Sequence, residues 1–167
     1  ITGVDIVSSF VERCEQTITE AELKNASVHL STEGEIPFDS ASFDVALMVD
    51  TIHHCHDPEQ TLKEVRRVLT PDGVLLILEP NKLNPALALM CFLDPNERGL
   101  LQLGTHRSYR RLLGEDFAIQ ESIYNGLLIG PQARILLHAA DIFSGSTLLG
   151  WLSPKIFVVA KTKPLHD

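Results

Sequence analysis

Nowhere in the 167 residues is there a G-x-G or a G-x-G-x-x-G, although the chain has 10 glycines from which one could be built. The glycine-rich turn that lets a nucleotide or cofactor approach the backbone closely is therefore not encoded in this stretch. Long apolar runs are missing too: the longest, Ala86 to Leu93, is far short of the roughly 18 residues that cross a bilayer. There is no basic excess, with 22 acidic against 14 basic residues and a formal charge of −8. A broad electropositive footprint for nucleic acid is thereby excluded, and Arg107, Arg110 and Arg111 read as the solvated face of a helix. Three cysteines, Cys14, Cys55 and Cys91, are an odd number without framework spacing, which excludes a disulfide-built domain and suits a reducing cytoplasm. No repeat, low-complexity tract, signal-peptide pattern or interdomain linker appears, so residues 1–167 are expected to form one domain.

What is present is clearest between Ile36 and Pro80. The runs Val45–Val49 and Val74–Leu78 are short, continuous and apolar, as in strands covered on both faces of a parallel sheet. Between them, Asp57 is a good N-cap, Pro58 occupies the first helical position and Gln60 is placed for a capping box. Leu62, Val65 and Leu69, with Val68 beside them, make one apolar stripe. A tight turn at Pro71-Asp72-Gly73 then leads into the second strand. The segment is one β-α-β unit with a right-handed crossover.

The flanks extend the same pattern. Ile1 to Asp5 reads as a strand, with Ser9 and Glu12 spaced as a capping box for a helix carrying Val11, Cys14 and Ile18. Asp5 falls at the carboxyl end of that strand, where open α/β sheets bind ligands and a carboxylate can accept both hydroxyls of a ribose; the plainer reading is that it begins a turn. Ala26–Leu30 is a third strand candidate. Downstream, helices are expected over 83–93 and 108–114, a strand over Phe117–Ser122, an apolar helical segment over 132–149, and a last strand over Lys155–Ala160. The apolar segment lines a substrate cavity, docks peripherally on a membrane surface, or simply covers the core.

The densest chemistry lies in Asp50-Thr51-Ile52-His53-His54-Cys55-His56-Asp57. Adjacent His53 and His54 are expected to project in different directions, and neither C-x-x-C nor H-x-x-x-H spacing occurs, so no metal site is expected. A histidine here has an unperturbed pKa near working pH and suits proton removal from a substrate hydroxyl. Glu79, at the end of the next strand, either orients a histidine or a substrate hydroxyl, or belongs to a polar exit turn.

The ordered string Pro37-Phe38, Ser42-Phe43-Asp44, His53-His54, Asp57, Arg66-Arg67-Val68-Leu69, Pro71-Asp72-Gly73 and a β-run ending in Glu79-Pro80 resembles the class I S-adenosylmethionine-dependent methyltransferases of the small-molecule, type 11-like kind. The resemblance implies a Rossmann-like α/β fold, a mostly parallel sheet with an antiparallel C-terminal edge hairpin. It implies S-adenosylmethionine as cofactor, with Asp5 and its neighbour Ile6 at the ribose, Thr32 and Glu33 near adenine in place of the usual Asp, and Asp50 and Thr51 near the amino-acid end. His53, His54 and Glu79 are then the residues beside a small-molecule acceptor, and residues 81–152 include the substrate-side helices that vary within the family. The family's first strand, glycine loop and first helix have no counterpart here, so the chain is expected to continue a domain that begins upstream. A methyltransferase-like scaffold that binds without catalysing is the alternative of another class. A nicotinamide-dependent oxidoreductase shares the acid after the strand but leaves the Ile36–Pro80 pattern unexplained.

Overall fold

The computed structural model describes residues 1–94, 97, 99–125 and 149–164. The chain opens with β1 (Thr2–Asp5), α1 (Ser8–Glu20) and β2 (Ser27–Leu30), and β1 pairs with β2 in parallel. Helix α1 does not use the expected Ser9–Glu12 box: Val7 is its N-cap and makes no side-chain cap. The turn into it is closed by Asp5, whose Oδ1 accepts from the backbone N–H of Val7 at 2.8 Å. This is the local Asx arrangement that short acidic side chains favour.

The second unit follows expectation more closely. It comprises β3 (Phe43–Val49), a 3₁₀ turn (Ile52–His54), α2 (Pro58–Val68) and β4 (Leu69–Pro80). Asp57 caps α2 by accepting from Gln60 N–H at 2.9 Å, and Leu62, Val65 and Val68 are buried beneath it. The turn expected at Pro71-Asp72-Gly73 does not precede β4 but bulges from it. Phe43 pairs with Leu69 and Val45 with Val74, so the residues between bow out of the ladder. Gly73 suits this tight path, because a Cβ there would lie 2.9 Å from the carbonyl oxygen of Thr70.

The remaining elements are α3 (Pro85–Leu93), α4 (Gly99–Leu103), α5 (His106–Leu113), β5 (Phe117–Asn125), a 3₁₀ turn (Gly150–Leu152) and β6 (Lys155–Thr162). Asn84 caps α3, and Thr105 with Ser108 forms a capping box on α5. The helix expected over 132–149 falls outside the described residues apart from Leu149. Strand β6 runs antiparallel to both β4 and β5, giving the order β3-β4-β6-β5 with β3 and β4 parallel. The antiparallel edge hairpin is therefore present. The main core, which includes Leu62, Leu75, Ile77, Tyr109, Phe117 and Ile156, lies where α2 and α5 cover this sheet.

One expectation is only half met. Met48 in β3 is buried, but Val45 and Leu47 are 54% and 63% exposed, so β3 is covered on one face among the described residues. Among those residues, too, β3 pairs only with β4, and β1–β2 form a separate two-stranded sheet.

Candidate active site

Parallel β3 and β4 end side by side, with Val49 opposite Leu78, and this brings the Asp50–His54 loop over the end of β4. Asp50 turns the chain there in the left-handed region at φ 49°, its N–H donating to the Leu78 carbonyl at 3.0 Å. Glu79 is the anchor. It is fully buried; its Oε1 accepts from the N–H groups of Thr51 at 2.7 Å and Ile52 at 2.8 Å, and its Oε2 lies 2.5 Å from Nδ1 of His53. One carboxylate thus satisfies two otherwise orphaned loop donors and fixes a histidine, as a buried charge requires. Glu79 is thus hydrogen-bonded to a histidine rather than left in a free exit turn.

A carboxylate only accepts, so His53 carries its proton on Nδ1 and turns Nε2 toward Glu97 Oε2, 3.3 Å away. Burial alone pushes the His53 pKa down, but the hydrogen bond and charge of Glu79, helped by Glu97 and Asp50, outweigh it and hold the ring above its ordinary 6.5. The ring of His54 lies against that of His53, with centroids 3.9 Å apart and the planes tilted by 41°, and its Nε2 is 3.9 Å from Glu97 Oε1. The expectation that the two side chains diverge is thus corrected. In a 3₁₀ turn, successive residues are displaced around a tight axis, and here both rings lie on the side facing Glu97.

The other expected residues are more dispersed. Asp5 ends β1 in the separate sheet, and Ile6, which follows it, is exposed. Thr32 Oγ1 donates to Glu35 at 3.2 Å, while Glu33 accepts from the His56 N–H at 2.7 Å and so ties the loop after β2 to the loop after β3. Thr51 Oγ1 bonds the Val49 carbonyl at 2.9 Å, and Asp50 forms an ion pair with Lys155. That pair follows from topology: β6 is antiparallel to β4, so its first residue meets the last residues of β4.

Glu97, Lys155, Gly99 and Tyr109 were not foreseen. A lone lysine at a strand start and a glutamate in a polar connection carry no sequence signal of their partners. A Cβ on Gly99 would fall 1.8 Å from the His53 carbonyl oxygen, so only glycine lets α4 approach the loop this closely. The Tyr109 hydroxyl is buried without a partner among the described residues; burial, reinforced by Glu79 and Asp50, pushes its pKa up. An open cavity of about 840 Å³ lies elsewhere, lined by Glu35, Phe38, Gln60, Glu64 and Arg67, and contains none of these groups.

Residues 1–77 match the methyltransferase domain family. The chain is 31% identical over 122 residues to a ubiquinone biosynthesis O-methyltransferase of Maricaulis maris, covering 66% of this chain and 43% of that protein. It is 30% identical over 84 residues to a demethylmenaquinone methyltransferase of Listeria monocytogenes, covering 50% and 35%. It thus spans less than half the length of either relative. A crystal structure of a SAM-dependent methyltransferase from Aquifex aeolicus superposes with a TM-score of 0.65 at 16% identity, covering 98% of this chain and 68% of that one. Together, the domain match over residues 1–77, the parallel pairs and the antiparallel edge give the chain the Rossmann-like fold of these methyltransferases.

Proposed function

We propose that the protein transfers a methyl group from S-adenosylmethionine to a small molecule held over the loop between β3 and α2. The observation that carries this reading is Glu79, which ties Thr51, Ile52 and His53 into one rigid arrangement at the carboxyl ends of two parallel strands. That is the edge at which open α/β sheets bind ligands.

The acceptors that these loops carry suit the cofactor, although Asp50 is also paired with Lys155. Its ribose hydroxyls, adenine amine and ammonium are donors, and this chain offers acceptors: Asp5 for the ribose, Glu33 with Thr32 for the adenine side, Asp50 with Thr51 for the amino-acid end. Ile6 supplies apolar surface beside Asp5. When bound, the cofactor supplies a methyl on a cationic sulfur, reactive without further activation. What remains for the protein is alignment and exclusion of water.

Glu79 holds His53 and so acts as a positioning residue. His54, with 44% of its side chain exposed, faces the acceptor and assists loss of its proton. That the relatives are named for ubiquinone biosynthesis and for demethylmenaquinone supports an aromatic, hydroxylated acceptor.

The test is cofactor titration and turnover of the full-length protein with a hydroquinone acceptor. Asp5→Ala is expected to weaken cofactor binding by about 1.5–3 kcal/mol, the cost of a lost charge-assisted hydrogen bond. His54→Ala is expected to lower turnover more than cofactor affinity. Unchanged affinity in the first variant removes the ribose assignment, and absence of cofactor binding by the wild type overturns the reading as a whole.

A further inference from the structure

We propose that His53, His54 and Glu97 hold a divalent transition-metal ion, for which zinc is the best match to the donor set. One ligand atom from each lies within 4.8 Å of the other two. Two imidazoles and a carboxylate form a recurrent three-ligand set that leaves a coordination position open. Imidazole donors select against magnesium and calcium, which take oxygen.

The separations, which are within ion-pair range, also accommodate a shared ion. A charge-assisted N–H···O bond is about 2.7–2.9 Å long, whereas Nε2 of His53 lies 3.3 Å from Glu97 Oε2. Two ligands each about 2.0–2.1 Å from zinc at the tetrahedral angle are roughly 3.3–3.4 Å apart. The longer 3.9 Å from His54 Nε2 to Glu97 Oε1 closes on ligation by rotation of a half-exposed ring.

The surroundings have the second layer that metal-binding histidines need. Glu79 accepts a hydrogen bond from the Nδ1–H of His53, which leaves the Nε2 lone pair facing the cluster, a carboxylate–histidine–metal arrangement. Thr51 and Ile52 N–H groups fix Glu79 in turn. Glu97 is held in place by its N–H, which donates to the Asp94 carbonyl at 3.2 Å, and by the close approach of Gly99 to the His53 carbonyl. In combination with the methyltransferase reading, on which only this consequence rests, an ion here would bind the acceptor oxygen and make its proton easier to lose, so that His54 assists that loss through the ion it ligates.

The experiment is titration of metal-free full-length protein with Zn²⁺ by calorimetry and with Co²⁺ by visible absorption, without any acceptor. One Zn²⁺ per chain is expected, and Co²⁺ should give the intense bands of a four-coordinate ion. Glu97→Gln and His54→Ala should each weaken binding at least tenfold, with thermal unfolding of the metal-free variants unchanged. No saturable binding, or binding unaltered in both variants, overturns the proposal. Zinc binding that persists in a protein unable to transfer methyl groups supports the site and overturns only the functional reading.

Discussion

Residues 1–30 and 43–80 each form a parallel strand pair joined through a helix, yet α1 buries only Val11 whereas α2 buries Leu62, Val65 and Val68. Phe10 on α1 is 61% exposed. The carboxylates at the two strand ends differ in the same way. Asp5 satisfies an N–H two residues away, while Glu79 gathers three partners from 26 to 28 residues away. The same local pattern of strand, cap and apolar stripe is thus compatible with an exposed layer or with a core. What separates them is the second layer: α5 and the β6–β5 hairpin pack around the later unit, and among the described residues nothing comparable covers the earlier one.

The most severe way to break this contrast is Glu79→Ala. Removing one partner of a buried pair and orphaning two loop N–H groups is expected to cost about 3–5 kcal/mol. Chemical denaturation measures it, and a cost below 1 kcal/mol would show that the loop is not held by this carboxylate.

A pair of equal truncations sharpens the comparison within the larger sheet. Leu75, fully buried, should lose about 2–5 kcal/mol on substitution by alanine. Leu47→Ala, on the open face of β3, should stay within about 0.5 kcal/mol in this chain. The same Leu47 truncation costing as much as Leu75 would mean that the open face is covered.

The smallest effect concerns Glu64, which Arg67 holds below its ordinary pKa of 4.5 chiefly through their hydrogen bond. A carboxyl whose folded pKa is depressed contributes stability above the unfolded value and loses it as pH falls through the folded one. Stability should therefore decline in that acid window, and Glu64→Gln should flatten the decline. Arg67 also donates to the carbonyls of Ile36 and Phe38, so the pair anchors the loop before β3. An identical acid profile in the variant would assign no role to the pair.

Much of this molecule was legible from local chemistry alone. Continuous apolar runs of strand length, Asp57-Pro58 before an amphipathic stripe, and acids at strand ends depend on backbone sterics, capping and short-range burial, all written in consecutive residues. They determined the β-α-β unit, the strand elements and the concentration of chemistry at Asp50–Asp57. Contacts between distant segments were decided only in three dimensions. The approach of Glu97 to the two histidines, the Asp50–Lys155 ion pair and the one-sided burial of β3 each depend on which element lies beside which. Such pairings span up to 105 residues of chain, and no periodicity in either partner specifies the other. Hydrophobic pattern determines what can be a strand; the neighbours that tertiary packing supplies decide whether its faces are buried and what its end can bind.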